Sequence, residues 1–95
     1  MAKHTKMRTR CVYCGSQSEL TVDHVIPISR WRDFRLPRRV LDNKSNKVVA
    51  CKRCNHEKGN LAPREWFQLH PDFYERFRRE AKYLSNAVKS ACGLD

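Results

Sequence analysis

The sequence lacks a long hydrophobic run. No apolar stretch among its 95 residues reaches about 18 residues, the length typical of a membrane-spanning helix, so we expect no membrane span and no membrane partner. The basic N-terminal segment is not followed by an apolar one, which argues against a secretory signal. An internal repeat and a low-complexity segment are also lacking. These absences favour a small domain that works in a cytoplasmic compartment.

Acidic residues are scarce. The chain has 10 Asp and Glu against 20 Lys and Arg, which gives a formal net charge of +10 at pH 7. A length of 95 residues excludes a multidomain enzyme with a large internal pocket. A domain of this size buries a modest core and often needs a metal, disulfides or oligomerisation for stability. The charge favours a polyanionic partner, with nucleic acid ahead of a membrane surface.

Four of the five cysteines form two CxxC pairs, Cys11 with Cys14 and Cys51 with Cys54. In a basic chain without an export signal, this spacing predicts one tetrahedral zinc site. Four thiolates would close the coordination shell, so the expected Zn²⁺ is structural. Two disulfides are the alternative, which a reducing compartment disfavours. Cys92 stands outside the pattern and is expected to be a small apolar residue on a helix face.

Short strands and a helix are predicted around the CxxC pairs. Residues 20–26 are rich in β-branched and apolar side chains, which predicts a strand that ends at Pro27. Residues 47–51 predict a second strand that leads directly into the second CxxC pair. A short helix is predicted from Asn55, with Gly59 as its end.

The C-terminal third is predicted to be a helical extension, residues 63–95, that packs on the rest. A helix is expected at Pro63, because proline is favoured in the first turn. From Pro71 onward apolar residues recur at three- and four-residue steps as far as Cys92, which predicts one continuous helix. Gly93 is its expected end.

Two segments are strongly basic. Residues 1–10 hold four Lys and Arg and no acid, which is typical of an arm that follows phosphates or of a solvated tail. Residues 29–47 are basic and are predicted to be irregular, with Trp31 and Phe34 interleaved among arginines. We expect this second segment to be a loop that partly packs and partly contacts a nucleic acid backbone.

A carboxylate, an imidazole and two amides lie close to the CxxC pairs in sequence: Asp23, His24, Asn46 and Asn55. A metal site that clamps the strands and helix together would bring these side chains near one another. Asp23 and His24 are neighbours on a predicted strand, so their side chains should leave opposite faces unless the strand twists or bulges. A shared catalytic role for Asp23 and His24 therefore needs a local distortion of the strand, or the two side chains must act in different directions.

Together these motifs resemble the HNH endonuclease family, and in particular the small zinc-stapled HNH proteins of bacteria and their phages. The motifs are the two CxxC pairs, Asp-His-Val-Ile-Pro at 23–27, and Asn-Lys-Val-Val-Ala-Cys-x-x-Cys-Asn-x-x-Lys-Gly at 46–59. The resemblance runs from Cys11 to about Asn60. It implies a small α+β zinc-bound domain whose ββα-metal core, the His-Me finger, spans residues 11–62, with additional C-terminal helices.

The resemblance also implies roles for individual residues. His24 would be the general base, and Asn46 the central asparagine that holds the loop and orients the histidine. Asp23 and Asn55 would hold a catalytic divalent cation. One carboxylate and one amide oxygen suit Mg²⁺, with Mn²⁺ or Ni²⁺ as substitutes.

Two of these assignments have rivals. Asn43 competes with Asn46, which we prefer because it adjoins the predicted second strand. His56 competes with Asn55, but neighbouring helical positions point about 100° apart, so only one can face the site. The family position is Asn55. The segment before Asn46 is several residues longer than the family usually shows.

The function implied by the resemblance is metal-dependent hydrolysis of DNA phosphodiester bonds, with RNA left open as a substrate. The candidate DNA contacts are Arg30, Arg38, Arg39 and Lys58. The alternative is a non-catalytic zinc module that binds nucleic acid or assists a phage packaging or replication complex. The expected compartment is the cytoplasm of a bacterium or a phage-infected cell. A phage or restriction partner protein, the oligomeric state and the target sequence stay open.

Overall fold

The computed structural model of the chain describes residues 9–94, so the predicted basic arm lies almost entirely outside the described residues. A two-stranded antiparallel sheet forms its centre, built from β1 (Leu20–His24) and β2 (Lys47–Cys51). The second strand has the predicted bounds. No helix formed by residues 9–94 is long and apolar enough to span a membrane.

Helices make up the remaining regular structure of the described residues. The C-terminal helices contribute side chains to the same core as the first CxxC turn, and the hairpin with the helix that follows it is the ββα arrangement. Short 3₁₀ turns lie at Ile28–Arg30 and Lys44–Asn46, and the α-helices are α1 (Trp31–Phe34), α2 (Arg38–Leu41), α3 (Lys52–Lys58), α4 (Pro63–Leu69), α5 (Pro71–Glu80) and α6 (Asn86–Cys92).

The first strand is two residues shorter than predicted. It ends at His24, because the next two backbone N–H groups turn toward one asparagine. Val25 N–H donates to the Asn46 carbonyl at 2.9 Å, and Ile26 N–H donates to the Asn46 side chain at 2.9 Å. The chain after β1 is therefore held by a side chain as well as by the backbone.

Helix α3 begins at Lys52, earlier than the predicted start at Asn55. The reason is that the second CxxC pair is itself the first helical turn. Cys51 is the N-cap residue, and its Sγ accepts a hydrogen bond from the Cys54 N–H at 3.4 Å. The helix ends at Gly59, which has a φ of 50°, as predicted.

The basic segment 29–47, predicted as irregular, contains short helices instead. Pro37 is the N-cap residue of α2 and favours the extended conformation that precedes a helix. Leu41 at the end of that helix is fully buried, while Trp31 and Phe34 are partly buried against the core. Apolar residues therefore anchor this segment, and its arginines stay at the surface.

The prediction of one continuous helix from Pro71 to Cys92 is wrong. Residues 81–85 interrupt it between α5 and α6. Tyr83 adopts a left-handed φ of 64°, which costs an L-residue about 1–2 kcal/mol. Ser85 then caps α6 by accepting a hydrogen bond from the Val88 N–H at 3.2 Å. The apolar periodicity persists across the break because both helices face the same core.

An aromatic cluster joins the C-terminal helices to the first CxxC pair. Tyr13, which lies between the two cysteines, packs edge-on against Trp66 at 5.5 Å and stacks on Phe77 at 5.8 Å between ring centroids. Phe67 completes the cluster from α4. Cys92 is buried in the same core, as expected for a small apolar residue. The helices thus pack directly on the cysteine-bearing turn.

Candidate metal centre and catalytic site

The four paired cysteines meet beside the hairpin. The Sγ atoms of Cys11, Cys14, Cys51 and Cys54 all lie within 4.8 Å of one another, clustered as in a zinc site. The first CxxC turn directs two backbone N–H groups, those of Tyr13 and Cys14, at Cys11 Sγ, both at 3.4 Å. Such N–H to sulfur bonds stabilise negative charge on a thiolate.

The cluster fits the metal that its spacing predicts. Four soft sulfur donors suit Zn²⁺ and leave no open coordination position, which is typical of a structural site. Burial, together with the neighbouring Cys51, raises the pKa of the Cys54 thiol, so without a cation four thiolates at this distance would be strongly disfavoured. Each cysteine is a free thiol in the structure, which does not support the two-disulfide alternative.

The predicted base, His24, is held by a carboxylate that sequence reasoning missed. His24 Nε2 lies 2.9 Å from Asp42 Oδ1, and Lys47 Nζ lies 3.5 Å from the same oxygen. The hydrogen bond from His24 and the charge of Lys47 lower the pKa of Asp42, so its carboxylate is ionised at neutral pH. An ionised acceptor at Nε2 places the imidazole proton there and leaves Nδ1 as the basic nitrogen.

Asn46 is fully buried and joins two chain segments. Its Oδ1 accepts from the Ile26 N–H at 2.9 Å, and its Nδ2 donates to the Ile26 carbonyl at 2.9 Å and the Leu41 carbonyl at 2.8 Å. Leu41 immediately precedes Asp42, and Ile26 closely follows His24. Asn46 therefore sets the distance between base and carboxylate through the backbone rather than by touching the imidazole.

The rival asparagine has a local role. Asn43 is exposed, and its Oδ1 accepts from the Ser45 N–H at 3.0 Å, which caps the 3₁₀ turn that follows. Its side chain thus stabilises only the turn in which it lies. The burial and three hydrogen bonds of Asn46 support the preference for Asn46 as the central asparagine.

Asp23 is hydrogen-bonded to a tyrosine and not to the imidazole. The strand register is uninterrupted, with Asp23 opposite Val48 and His24 opposite Lys47, so these neighbouring side chains leave opposite faces. Asp23 is 5% exposed, and its Oδ2 accepts from the Tyr13 hydroxyl at 2.7 Å. Burial, and then the charge of Asp23, raise the pKa of Tyr13, which keeps the phenol protonated as a donor.

Lys58 is the cationic partner of Asp23. Its Nζ lies 3.4 Å from Asp23 Oδ2 and donates to the His24 carbonyl at 2.9 Å, and the residue is 1% exposed. Burial lowers the pKa of Lys58, an effect that the carboxylate of Asp23 opposes. The prediction that Lys58 contacts DNA does not fit this position, because its ammonium is used inside the protein.

Substituting Lys58 with methionine should destabilise the domain by about 3–5 kcal/mol, because the buried Asp23 carboxylate loses its cation. The midpoint of urea unfolding measures this. Lys82→Met, at an exposed lysine, is the matched control and should change stability by less than about 0.5 kcal/mol. Adding Asp23→Asn to Lys58→Met should recover part of the loss. An unchanged midpoint in the single variant would show that the pair contributes nothing to stability.

The predicted cation ligands line one surface cavity with the base. This cavity of about 260 Å³ has Asp23, His24 and Asn55 among its lining residues, together with Ser29 and Asn60. Asn55 donates through Nδ2 to the Val22 carbonyl at 3.2 Å, so its amide oxygen is not used in that bond. The hydroxyl of Tyr13 likewise donates to Oδ2 of Asp23 and not to Oδ1.

These donors fit a hard divalent cation. One carboxylate and one amide oxygen beside an imidazole form a low-charge oxygen site of the kind that suits Mg²⁺, which keeps most of its waters. The rival ligand His56 is exposed and is not part of the cavity lining. The cavity therefore supports Asn55 over His56 as the residue that faces the site.

The candidate DNA-contacting arginines divide into two groups. Arg30 binds Asp33 and Glu65, the latter at 3.0 Å, and hydrogen bonds to both carboxylates raise its pKa. Its guanidinium is thus largely engaged within the protein. Arg38 and Arg39 are exposed, and the Arg38 guanidinium lies 5.3 Å from the centroid of the Trp31 ring.

The comparisons with known proteins agree with this geometry. A model of the family described as HNH endonuclease matches residues 11–61, which is more than half of the chain. The match includes both CxxC pairs, both strands and α3. A search of curated proteins found no match.

Proposed function

Because this chain belongs to the HNH endonuclease family, we propose that it is a metal-dependent endonuclease that hydrolyses phosphodiester bonds in DNA. The observation that carries the proposal is the cavity that Asp23, His24 and Asn55 line together. A protein that only binds nucleic acid would need no such combination. Such a cavity is small, which suits a substrate that is a long polyanion lying across the surface.

In this proposal His24 is the general base. Nδ1 accepts a proton from the attacking water, while Asp42 holds the Nε2 proton and stabilises the imidazolium that forms. Asn46 keeps both residues in place by fixing the backbone on either side. A neutral imidazole is well suited to this step near physiological pH.

Asp23 and Asn55 would hold the catalytic divalent cation, with Mg²⁺ as the first choice and Mn²⁺ or Ni²⁺ as substitutes. When bound, the cation stabilises charge on the scissile phosphate and on the leaving oxygen. Lys58 pairs with the Asp23 carboxylate inside the protein and offsets its negative charge. Arg38 and Arg39, which are exposed in the basic segment 29–47, would contact the phosphate backbone.

Incubation of supercoiled plasmid with the purified protein tests the proposal. We expect nicked or linear DNA with Mg²⁺ or Mn²⁺ and none when divalent metal is omitted. A structured RNA in the same assay measures the choice between DNA and RNA. Salt-sensitive binding without cleavage, with each of Mg²⁺, Mn²⁺ and Ni²⁺, would instead favour a non-catalytic zinc module that binds nucleic acid or assists a phage complex.

Substituting Asp42 with asparagine should lower the cleavage rate by about 10- to 100-fold, because an amide can donate to Nε2 and favour the wrong imidazole tautomer. Single-turnover kinetics measures the rate, and ¹⁵N chemical shifts of His24 report the tautomer. Asp33→Asn, at another exposed carboxylate of the basic segment, is the matched control. An unchanged rate and tautomer in Asp42→Asn would remove Asp42 from the mechanism.

A further inference from the structure

A second cavity, which we call the hairpin groove, lies beside the catalytic one. Its volume is about 470 Å³. Its apolar lining residues are Val12, Val22, Val48, Val49 and Ala81. Val22 on β1 is 56% exposed. The groove therefore presents apolar surface that the fold itself does not cover.

The hairpin groove and the catalytic cavity share a lining residue. Val22 lines both cavities. In the strand register Val22 pairs with Val49 and His24 pairs with Lys47, so these four side chains share one face of the sheet. A polymer whose scissile bond lies at His24 could follow this face directly into the groove.

The charge of the groove suits a polyanion. Its lining includes four cationic side chains, those of Arg10, Lys44, Lys47 and Lys82, and one carboxylate, that of Glu80. Arg10 lies 3.5 Å from Glu80 and offsets its charge. Within residues 9–94, Lys44 and Lys82 form no ion pair and both are exposed. Two free ammonium groups thus flank the apolar surface.

Tyr83 stands at the groove with its ring in solvent. It is 89% exposed and lies in the segment between α5 and α6 with a left-handed φ of 64°. Strained backbone of this kind is unfavourable for tyrosine, and burial of the ring does not compensate for it. An exposed aromatic ring beside free lysines is the combination that proteins use to stack bases while binding the backbone.

We propose that the hairpin groove binds an unpaired stretch of the DNA strand next to the scissile phosphate. Phosphates would contact Lys44 and Lys82, and one base would stack on Tyr83. The strand is unpaired because a duplex keeps its base faces stacked, so it could use the lysines but not the ring or the valines. The inference rests on the proposed function and makes the preferred substrate a junction between duplex and single strand.

Binding of a fluorescent oligothymidine to the zinc-loaded protein, measured by anisotropy with no added Mg²⁺ or Mn²⁺, tests the groove. Tyr83→Ala should weaken single-strand binding by about 5- to 150-fold, while Tyr83→Phe should bind like wild type. Binding of a duplex of equal length should change less than about twofold in both variants, since duplex contacts are mainly to phosphates. Leu69→Ala removes another exposed apolar side chain, 65% exposed and outside the groove, and serves as the matched control.

Three further variants separate stacking from charge and from folding. Lys44→Ala and Lys82→Ala should each reduce the slope of log affinity against log salt by about 0.7 for single strands, while Tyr83→Ala leaves it unchanged. Tyr83→Gly removes backbone strain, so it should raise stability and still lose single-strand affinity. If Tyr83→Ala binds single strands with wild-type affinity, the inference is wrong, and a protein partner becomes the favoured occupant of the groove. Because the assay measures binding without an added catalytic cation, its result does not depend on whether the protein cleaves DNA.

Discussion

Substituting His24 with alanine is expected to lower the rate of DNA cleavage by about 10²–10⁴-fold, the usual contribution of a general base. The expectation follows from the imidazole, which lines the cavity with Asp23 and Asn55 and has Nε2 occupied by Asp42. The remaining nitrogen, Nδ1, is then the basic atom of the ring. Plasmid cleavage under single-turnover conditions with Mg²⁺ or Mn²⁺ measures the rate.

The adjacent control is His56→Ala. His56 is exposed on α3 beside Asn55, so its removal tests the rival ligand and should leave cleavage unchanged. DNA affinity of His24→Ala, measured without metal, should stay close to that of wild type, because a base contributes to the reaction and little to binding. Equal cleavage by wild type and His24→Ala would remove His24 from the mechanism.

Removal of zinc is expected to unfold the domain. Two cysteines come from the turn before β1 and two from the junction of β2 and α3, so a bound ion joins the sheet, the helix and the turn that carries Tyr13. Structural zinc binding supplies about 10–16 kcal/mol in small domains, which exceeds the total stability of many proteins. A chelator should abolish the helical circular dichroism signal, and added Zn²⁺ but not Mg²⁺ should restore it.

A pair of cysteine variants gives this prediction its control. Cys54→Ala should lose the ion and the fold, whereas Cys92→Ala should keep one Zn²⁺ per chain in native mass spectrometry. Cys92 is buried outside the cluster, and burial raises the pKa of its thiol to about 12, so it stays protonated. A metal-free chain that remains folded, or two disulfides in the native protein, would contradict the zinc site.

Local patterns were enough for part of the fold. The two strands, the end of α3 at Gly59 and the start of α4 at Pro63 follow from short runs of side chains and from glycine and proline. Local patterns did not predict the break between α5 and α6. Apolar periodicity continues through residues 81–85, because it records which face is buried and not whether the backbone is continuous.

At the candidate site, too, local patterns predicted some features and not others. The cluster of four cysteines could be predicted, because each CxxC turn brings two sulfurs together within a few residues. Asp42 lies in a basic segment, where its residue type alone did not predict a role. Only the structure shows that its carboxylate lies beside the imidazole of His24, which pairs with Lys47 in the sheet. Residue type suggested that Lys58 was at the surface, and its burial depends on how α3 packs on β1.

The sequence by itself determined the family and the cysteine cluster, and it predicted three of the residues that line the candidate catalytic cavity, because these predictions depend on residue types at fixed spacings. Only the tertiary structure decided where those side chains point. The uninterrupted strand register turns Asp23 toward Tyr13 and His24 toward Asp42, and it places Val22 and Lys47 in the hairpin groove. Direction depends on contacts between residues far apart in the chain, which no local spacing encodes.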